Sequence, residues 1–343
     1  KDFVEGTEGV TNYSYFLLDS KLDKRQLLVC DEAHTIADAV CRWISIDISK
    51  RFATSGLGLK IPKFRKDQDI FDWVKKTYYQ ELIIYHSKLK EAINNEMDMT
   101  GMVDPKSAKR YDTIDRHYVK MVEFFQSYDS DGWIINESDK TLSFKPLEAA
   151  NYSENLFRRG EKCLLMSATI LDINMFCKEL GIDPNNVAFL RLDSTFPAKN
   201  RTIEYVPMGK MSQKELQQTM PKMISGIDVI LEGHAKEKGI IHCGNFLIGK
   251  AIYEGSKHKS RLLLQDETNK ELILANHFNS SKPTVLISPS MTEGVDLKDD
   301  LSRFQIVAKL PFPYLGDKYV KAKFDKQDGW YEFVTLRTFV QSI

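Results

Sequence analysis

Two short apolar runs stand out against the polar background of the first half of the chain. Leu27-Leu28-Val29-Cys30 runs straight into Asp31-Glu32-Ala33-His34, and Cys163-Leu164-Leu165-Met166 runs into Ser167-Ala168-Thr169. A run that is apolar on both sides of the pleat reads as a strand of a parallel sheet with both faces covered. Between the two runs the period changes. Ile70, Trp73, Val74, Tyr78, Leu82 and Tyr85 follow helical spacing, as do Tyr111, Ile114, Tyr118, Met121, Val122 and Phe125. A polar stretch with Gly101 and Pro105 separates them, and Trp133-Ile134-Ile135 with Thr141-Leu142-Ser143-Phe144 reads as a hairpin. After about residue 197 helix and strand alternate: a helix over 211–236, a strand at 239–243, a helix at 247–257, then strands near 261–265, 284–288 and 304–310. This pattern predicts an α/β protein of two lobes with a helical domain inserted into the first. The expected boundaries are 1–44 and 141–196 for the first lobe, 45–140 for the insertion and 197–343 for the second lobe.

Composition narrows the class. A chain of 343 residues that is 42% hydrophobic and 28% charged can bury a sizeable core, which excludes wholesale disorder. Lys plus Arg equals Asp plus Glu, 48 each, so a strongly basic chain is not the argument for a nucleic-acid partner. A local basic groove remains compatible with that balance. No apolar run approaches the roughly 20 residues of a membrane helix, and Lys-Asp-Phe-Val-Glu has no apolar signal core. Five scattered cysteines without a C-x-x-C pair argue against a disulfide framework or a metal site built from them. The expected compartment is reducing and intracellular, cytoplasmic or nucleoid, and nuclear in a eukaryote.

The chemistry concentrates at strand ends. An acid at the end of a parallel strand can hold Mg²⁺ against nucleotide phosphates, and a second acid beside it can activate water. Asp31 and Glu32 fit those two roles, and they also fit a solvated acidic helix start. Ser167 and Thr169 place hydroxyls at the second strand end, either to link lobes or to cap the next helix. Thr292-Glu293-Gly294-Val295-Asp296 reads as a ligand-facing turn or as a plain polar one. The loop Lys309-Leu310-Pro311-Phe312-Pro313-Tyr314 is suited to base stacking and, more simply, to rigid packing. Gly244 to Lys250 imitates a phosphate-binding loop, but Ala251 lacks the Mg²⁺-binding hydroxyl and Phe246, Leu247 and Ile248 are bulky. It reads as a strand–turn–helix. Cys163 and Cys243 read as small core residues, and His242 as a satisfied core histidine.

Taken in order, Asp31-Glu32-Ala33-His34, Met166-Ser167-Ala168-Thr169, Thr292-Glu293-Gly294-Val295-Asp296 and Leu310-Pro311-Phe312-Pro313 with Lys321-Ala322-Lys323 resemble the XPD/DinG branch of superfamily 2 DNA helicases. Val10-Thr11-Asn12-Tyr13-Ser14-Tyr15-Phe16-Leu17-Leu18 resembles the segment before that branch's acidic box. The resemblance implies two RecA-like parallel-sheet lobes with an arch-like helical insertion in the first. It implies an ATP-dependent DNA helicase that moves 5′ to 3′ on single-stranded DNA or at forks. Asp31 would bind Mg²⁺, Glu32 would activate the hydrolytic water, and His34, Ser167 and Thr169 would couple ATP state to lobe movement. Glu293, Gly294 and Asp296 would face the interlobe cleft near nucleotide and DNA backbone. Gln341 would open the last motif, whose arginines would follow Ile343. The phosphate-binding loop, and the cysteines of a 4Fe–4S cluster where a member has one, would lie before Lys1. On this reading the chain is a helicase segment cut at both ends and inactive alone. The alternatives are a DNA-stimulated translocase that does not unwind, and a non-catalytic DNA- or protein-binding fragment.

Overall fold

A computed structural model of the chain describes residues 6–18, 23–195, 197–200, 202–212, 214–291 and 295–343. The chain divides into two compact units, Lys1–Val187 with Tyr314–Asp328, and Ala188–Pro313 with Gly329–Ile343.

The first unit opens with helix α1 (Tyr13–Leu18) and strand β1 (Arg25–Cys30), followed by α2 (Ile36–Ile44) and β2 (Ile46–Ser49). The insertion then runs through α3 (Asp67–Trp73), a π-type turn at Val74–Tyr78, α4 (Tyr79–Thr100) and α5 (Pro105–Ser127). Gly101 ends α4 at φ 71°, a left-handed conformation that glycine takes without steric cost. Asp104 starts α5: its carboxylate accepts the Lys106 and Ser107 amides, with Pro105 in the first helical position. Strands β3 (Trp133–Glu137) and β4 (Thr141–Pro146) form the expected hairpin, and β2 adds to its edge in an antiparallel sheet of order β2-β4-β3. The insertion is therefore not purely helical. Its helices pack on a three-stranded sheet through a core of Ile46, Ile48, Tyr78, Leu82, Met121, Phe124, Leu142 and Phe144.

After the insertion come α6 (Glu154–Phe157), β5 (Gly160–Leu165) and α7 (Ile173–Leu180). β5 pairs with β1 in parallel, with Leu28 opposite Cys163 and Cys30 opposite Leu165. One face of this pair packs on Phe16, Ile36, Val40, Leu156 and Phe176. The other face does not meet the expectation of two covered sides: Leu27 and Val29 are 53% and 50% exposed, and Leu164 and Met166 are exposed beside them. Cys163 is likewise exposed rather than a core residue. A strand's two faces are covered by different elements, so an apolar sequence specifies what each face suits and not what lies against it.

The second unit holds α8 (Leu216–Gly233), β6 (Gly239–His242), α9 (Phe246–Gly255), β7 (Leu262–Leu264), α10 (Lys270–Asn279), β8 (Val285–Ser288) and β9 (Phe304–Val307). The four strands form a parallel sheet of order β7-β8-β6-β9. Ile241, Val285, Ile287 and Ile306 join a core with α8 and α9, while Ile240 and Leu286 join another with Ile273 of α10 and Met291. Here both faces are covered, as the apolar runs predict. The Gly244–Ala251 turn is the expected strand–turn–helix: the Asn245 side chain caps α9 by accepting the Ile248 amide at 2.8 Å. His242 is buried as expected, yet neither of its ring nitrogens has a hydrogen-bond partner among the described residues. Phe312 stacks on Tyr331 at 5.3 Å, so that ring of the proline loop is used in packing.

Helix α11 (Lys318–Lys326) falls within the expected second lobe by sequence, but groups with the first unit; α12 (Trp330–Gln341) returns to the second. The Lys318 ammonium bonds the Asp67 carboxylate at 2.5 Å and the Ile135 carbonyl at 2.7 Å, while Lys145 lies 3.7 Å from the Tyr319 ring centre. Contacts between residues some 180–250 positions apart decide this placement, and local pattern is blind to them.

His117, on α5, shares a 2.9 Å hydrogen bond with the Tyr78 hydroxyl. Burial, with Lys120 adding to it, lowers its pKa from 6.5 to about 4. As pH falls below 6.5 the unfolded chain takes up this proton before the folded one, so stability is lost progressively down to about pH 4. His117→Gln is expected to flatten the fall in thermal midpoint across that window. An equally steep fall in the variant would assign the acid sensitivity to other groups.

Candidate active site

The β1–β5 pair continues one step past its last regular residues. Met166 donates its amide to the Cys30 carbonyl and Ala33 donates to the Met166 carbonyl, both at 2.9 Å. This extra step brings the two strand-end motifs together. His34 and Ser167 lie 133 residues apart in sequence, yet His34 Nδ1 and Ser167 Oγ share a 2.8 Å hydrogen bond. The same nitrogen is 3.3 Å from a Glu32 carboxylate oxygen. Ser167 Oγ accepts the Thr169 amide at 3.1 Å and lies 3.3 Å from the Thr169 hydroxyl. His34 and Thr169 are buried, whereas the Glu32 side chain is 56% exposed. Thus a solvent-facing carboxylate, an imidazole and two hydroxyls form one connected polar cluster.

The turn that carries the carboxylates is unusual. Glu32 sits at φ 47°, ψ 46°, the left-handed region, where a side chain with a Cβ costs about 1–2 kcal/mol. Thr35 answers with two bonds to the Glu32 carbonyl, from its amide at 2.9 Å and its hydroxyl at 2.8 Å. Asp31 Oδ1 accepts the Glu32 amide at 2.9 Å. Asp31 is exposed, and its second carboxylate oxygen has no partner among the described residues. That arrangement suits a hydrated Mg²⁺, which needs only one or two carboxylates when phosphates supply the remaining oxygens. Among the described residues no group of three or more His, Cys, Asp or Glu is placed to hold a metal by itself.

Five of the expected site residues, Asp31, Glu32, His34, Ser167 and Thr169, therefore come together in the first unit. Asp296 lies in the second unit, exposed and paired with Lys298 at 3.0 Å, and Gln341 is the last residue of α12. Glu293 and Gly294 fall outside the described residues. One contributor had no role from sequence: the Tyr13 hydroxyl donates to the Asp31 carbonyl at 2.5 Å. A tyrosine 18 residues upstream, on another helix, gives no local signal of that contact.

Comparison with known proteins follows the same lines. A family model for a helicase C-terminal domain matches residues 245–343. The chain is 28% identical over 190 residues to the ATP-dependent DNA helicase DinG of Photobacterium profundum, a match covering 52% of this chain and 27% of that protein. It is 24% identical over 190 residues to the ATP-dependent DNA helicase YoaA of Haemophilus influenzae, covering 54% of this chain and 29% of that one. The matches thus span little more than a quarter of each relative's length. In fold the chain is similar to a solved XPD helicase, with TM-score 0.54 at 18% identity, covering 96% of this chain and 65% of that one. An XPD apo structure gives TM-score 0.52 at 15% identity, with 96% and 73% covered. These findings bear out the resemblance to XPD/DinG-like superfamily 2 helicases and the α/β class with parallel sheets.

Proposed function

We propose that this chain carries the water-activating part of an ATP-driven DNA helicase that moves 5′ to 3′ on single-stranded DNA. The observation that supports the reading best is the joined strand-end cluster, in which Glu32 is solvent-facing and tied through His34 to Ser167 of the neighbouring strand. Glu32 takes a proton from the attacking water as general base. Asp31 would help to hold a Mg²⁺ beside the nucleotide phosphates, and such an ion would supply charge neutralisation for the phosphoryl oxygens. His34 touches both Glu32 and Ser167, so a shift of the Ser167–Thr169 turn changes the base's surroundings; this is the coupling role assigned to the three residues. Asp296, Glu293, Gly294 and Gln341 are assigned to contacts with nucleotide and DNA. The place of action is inside the cell, with the DNA. Taken alone, the 343-residue stretch is expected to be inactive, because its glycine–lysine loop has Ala251 where a Mg²⁺-binding hydroxyl is needed and bulky Phe246, Leu247 and Ile248 where a phosphate needs open backbone amides.

Strand displacement in the full-length protein tests this. DNA-stimulated ATP hydrolysis is expected, with release of the complementary strand from a substrate with a 5′ tail and not from one with a 3′ tail. Hydrolysis without displacement would make the protein a translocase. No stimulation by DNA would remove the helicase reading altogether.

A further inference from the structure

Glu32 holds a backbone conformation that residues with side chains keep only when their surroundings over-determine it. Its φ of 47° relates two peptide planes, one on each side of its Cα. The plane that follows is fixed within the turn and by β5, through the bonds from Thr35 to the Glu32 carbonyl and from Ala33 to Met166. The plane that precedes it contains the Asp31 carbonyl and the Glu32 amide. Among the described residues the amide reaches only its neighbour's carboxylate, Asp31 Oδ1. The carbonyl is held from a different element, by the Tyr13 hydroxyl at 2.5 Å.

Tyr13 is itself well anchored. Phe16 and Leu17 of α1 are buried in the same core as Cys30 and Ala33. Asn12 caps α1 by accepting the Tyr15 amide at 2.8 Å. The buried Arg159 guanidinium donates to the Phe16 carbonyl and lies 5.1 Å from its ring. Burial, followed by the nearby Cys30, Asp31 and Glu32, pushes the Tyr13 hydroxyl pKa above its ordinary 10, so it stays a donor at any working pH.

The geometry points to Tyr13 as a positioning residue for Glu32: its hydroxyl clamps the Asp31–Glu32 peptide and so keeps the carboxylate in its presented, left-handed setting. This rests on the reading of Glu32 as the base. Tyr13→Phe keeps the ring and its packing and removes the hydroxyl, which also meets the Cys30 thiol, so the peptide is freed to relax and the carboxylate to move.

Four full-length proteins decide it: parent, Glu32→Gln, Tyr13→Phe and the double variant. Tyr13→Phe is expected to lower the kcat of DNA-stimulated hydrolysis by about 10- to 100-fold, the scale of a misplaced catalytic group. The KM for ATP is expected to stay within about twofold, and the added loss in the Glu32→Gln background to be under about twofold, because the two changes act through one group. Parent-like turnover of Tyr13→Phe beside an inactive Glu32→Gln would overturn the clamp, and so would an undiminished penalty in the double variant. Turnover retained by Glu32→Gln would instead fail the base assignment. In that case, or if Tyr13→Phe is less stable in the enzyme, thermal midpoints of the full-length proteins decide. Tyr13→Phe should cost a few degrees in the parent and less in Glu32→Gly, since glycine takes a positive φ freely. Equal losses in both backgrounds, or no loss in either, would show that Tyr13 does not support the Glu32 conformation.

Discussion

Glu32→Gln in the full-length protein is expected to lower DNA-stimulated ATP hydrolysis by about two to four orders of magnitude, the usual contribution of a positioned general base. Glutamine keeps the volume and the hydrogen-bonding reach of glutamate but does not accept the water's proton. The side chain is 56% exposed, so no core is disturbed, and His34 keeps its 2.8 Å bond to Ser167 when the 3.3 Å contact with Glu32 loses its charge. Affinity for single-stranded DNA should therefore be unchanged. Phosphate release at saturating ATP and DNA, beside a DNA titration by anisotropy, checks both halves. Turnover near the parent's would take Glu32 out of the chemistry.

The largest expected effect on stability lies in the insertion. Phe124 is 2% exposed, and its ring centre lies 4.9 Å from that of Phe144, 5.2 Å from Trp133, 5.2 Å from Tyr128 and 6.3 Å from Phe71. It joins α5 to both strands of the β3–β4 hairpin and to α3, so neighbours on several elements would have to move to fill the space it leaves. Phe124→Ala is expected to cost about 3–5 kcal/mol, the transfer term plus the cavity. Urea unfolding followed by tryptophan fluorescence reads it, since Trp133 and Trp73 both lie in or against this core. A loss below about 1 kcal/mol would mean that the aromatic cluster collapses around the hole and that no single ring is essential.

The two effects differ in how far each was visible in advance. The stripe Tyr111, Ile114, Tyr118, Met121, Val122 and Phe125 marked this helix as packed, but it passed over Phe124, which the structure buries three residues after Met121 on the same face. Glu32 was legible as a candidate because an acidic pair follows an apolar strand. Its left-handed backbone was not, since that conformation is imposed by Thr35 next to it and by Tyr13 and Met166 from elsewhere. β2 escaped notice for a simpler reason. Ile46-Asp47-Ile48-Ser49 alternates for only four residues, too few to outweigh the helical blocks around it, and it becomes a strand by pairing with β4 across almost a hundred residues. The hairpin β3–β4 was legible because both strands and their turn are consecutive.

The amino-acid sequence alone determined the element types in most of the chain, the two acid- and hydroxyl-bearing strand ends, and the alternation that makes the second unit a parallel sheet. These properties follow from local spacing, because side-chain period and turn chemistry act over a few residues. Only the tertiary structure decided that His34 meets Ser167, that Tyr13 grips Asp31, that one face of β1 and β5 is exposed, and that α11 packs with the first unit rather than the second. Each depends on which distant surfaces meet, and the energy of such meetings comes from burial and hydrogen bonds shared between segments that carry no record of one another.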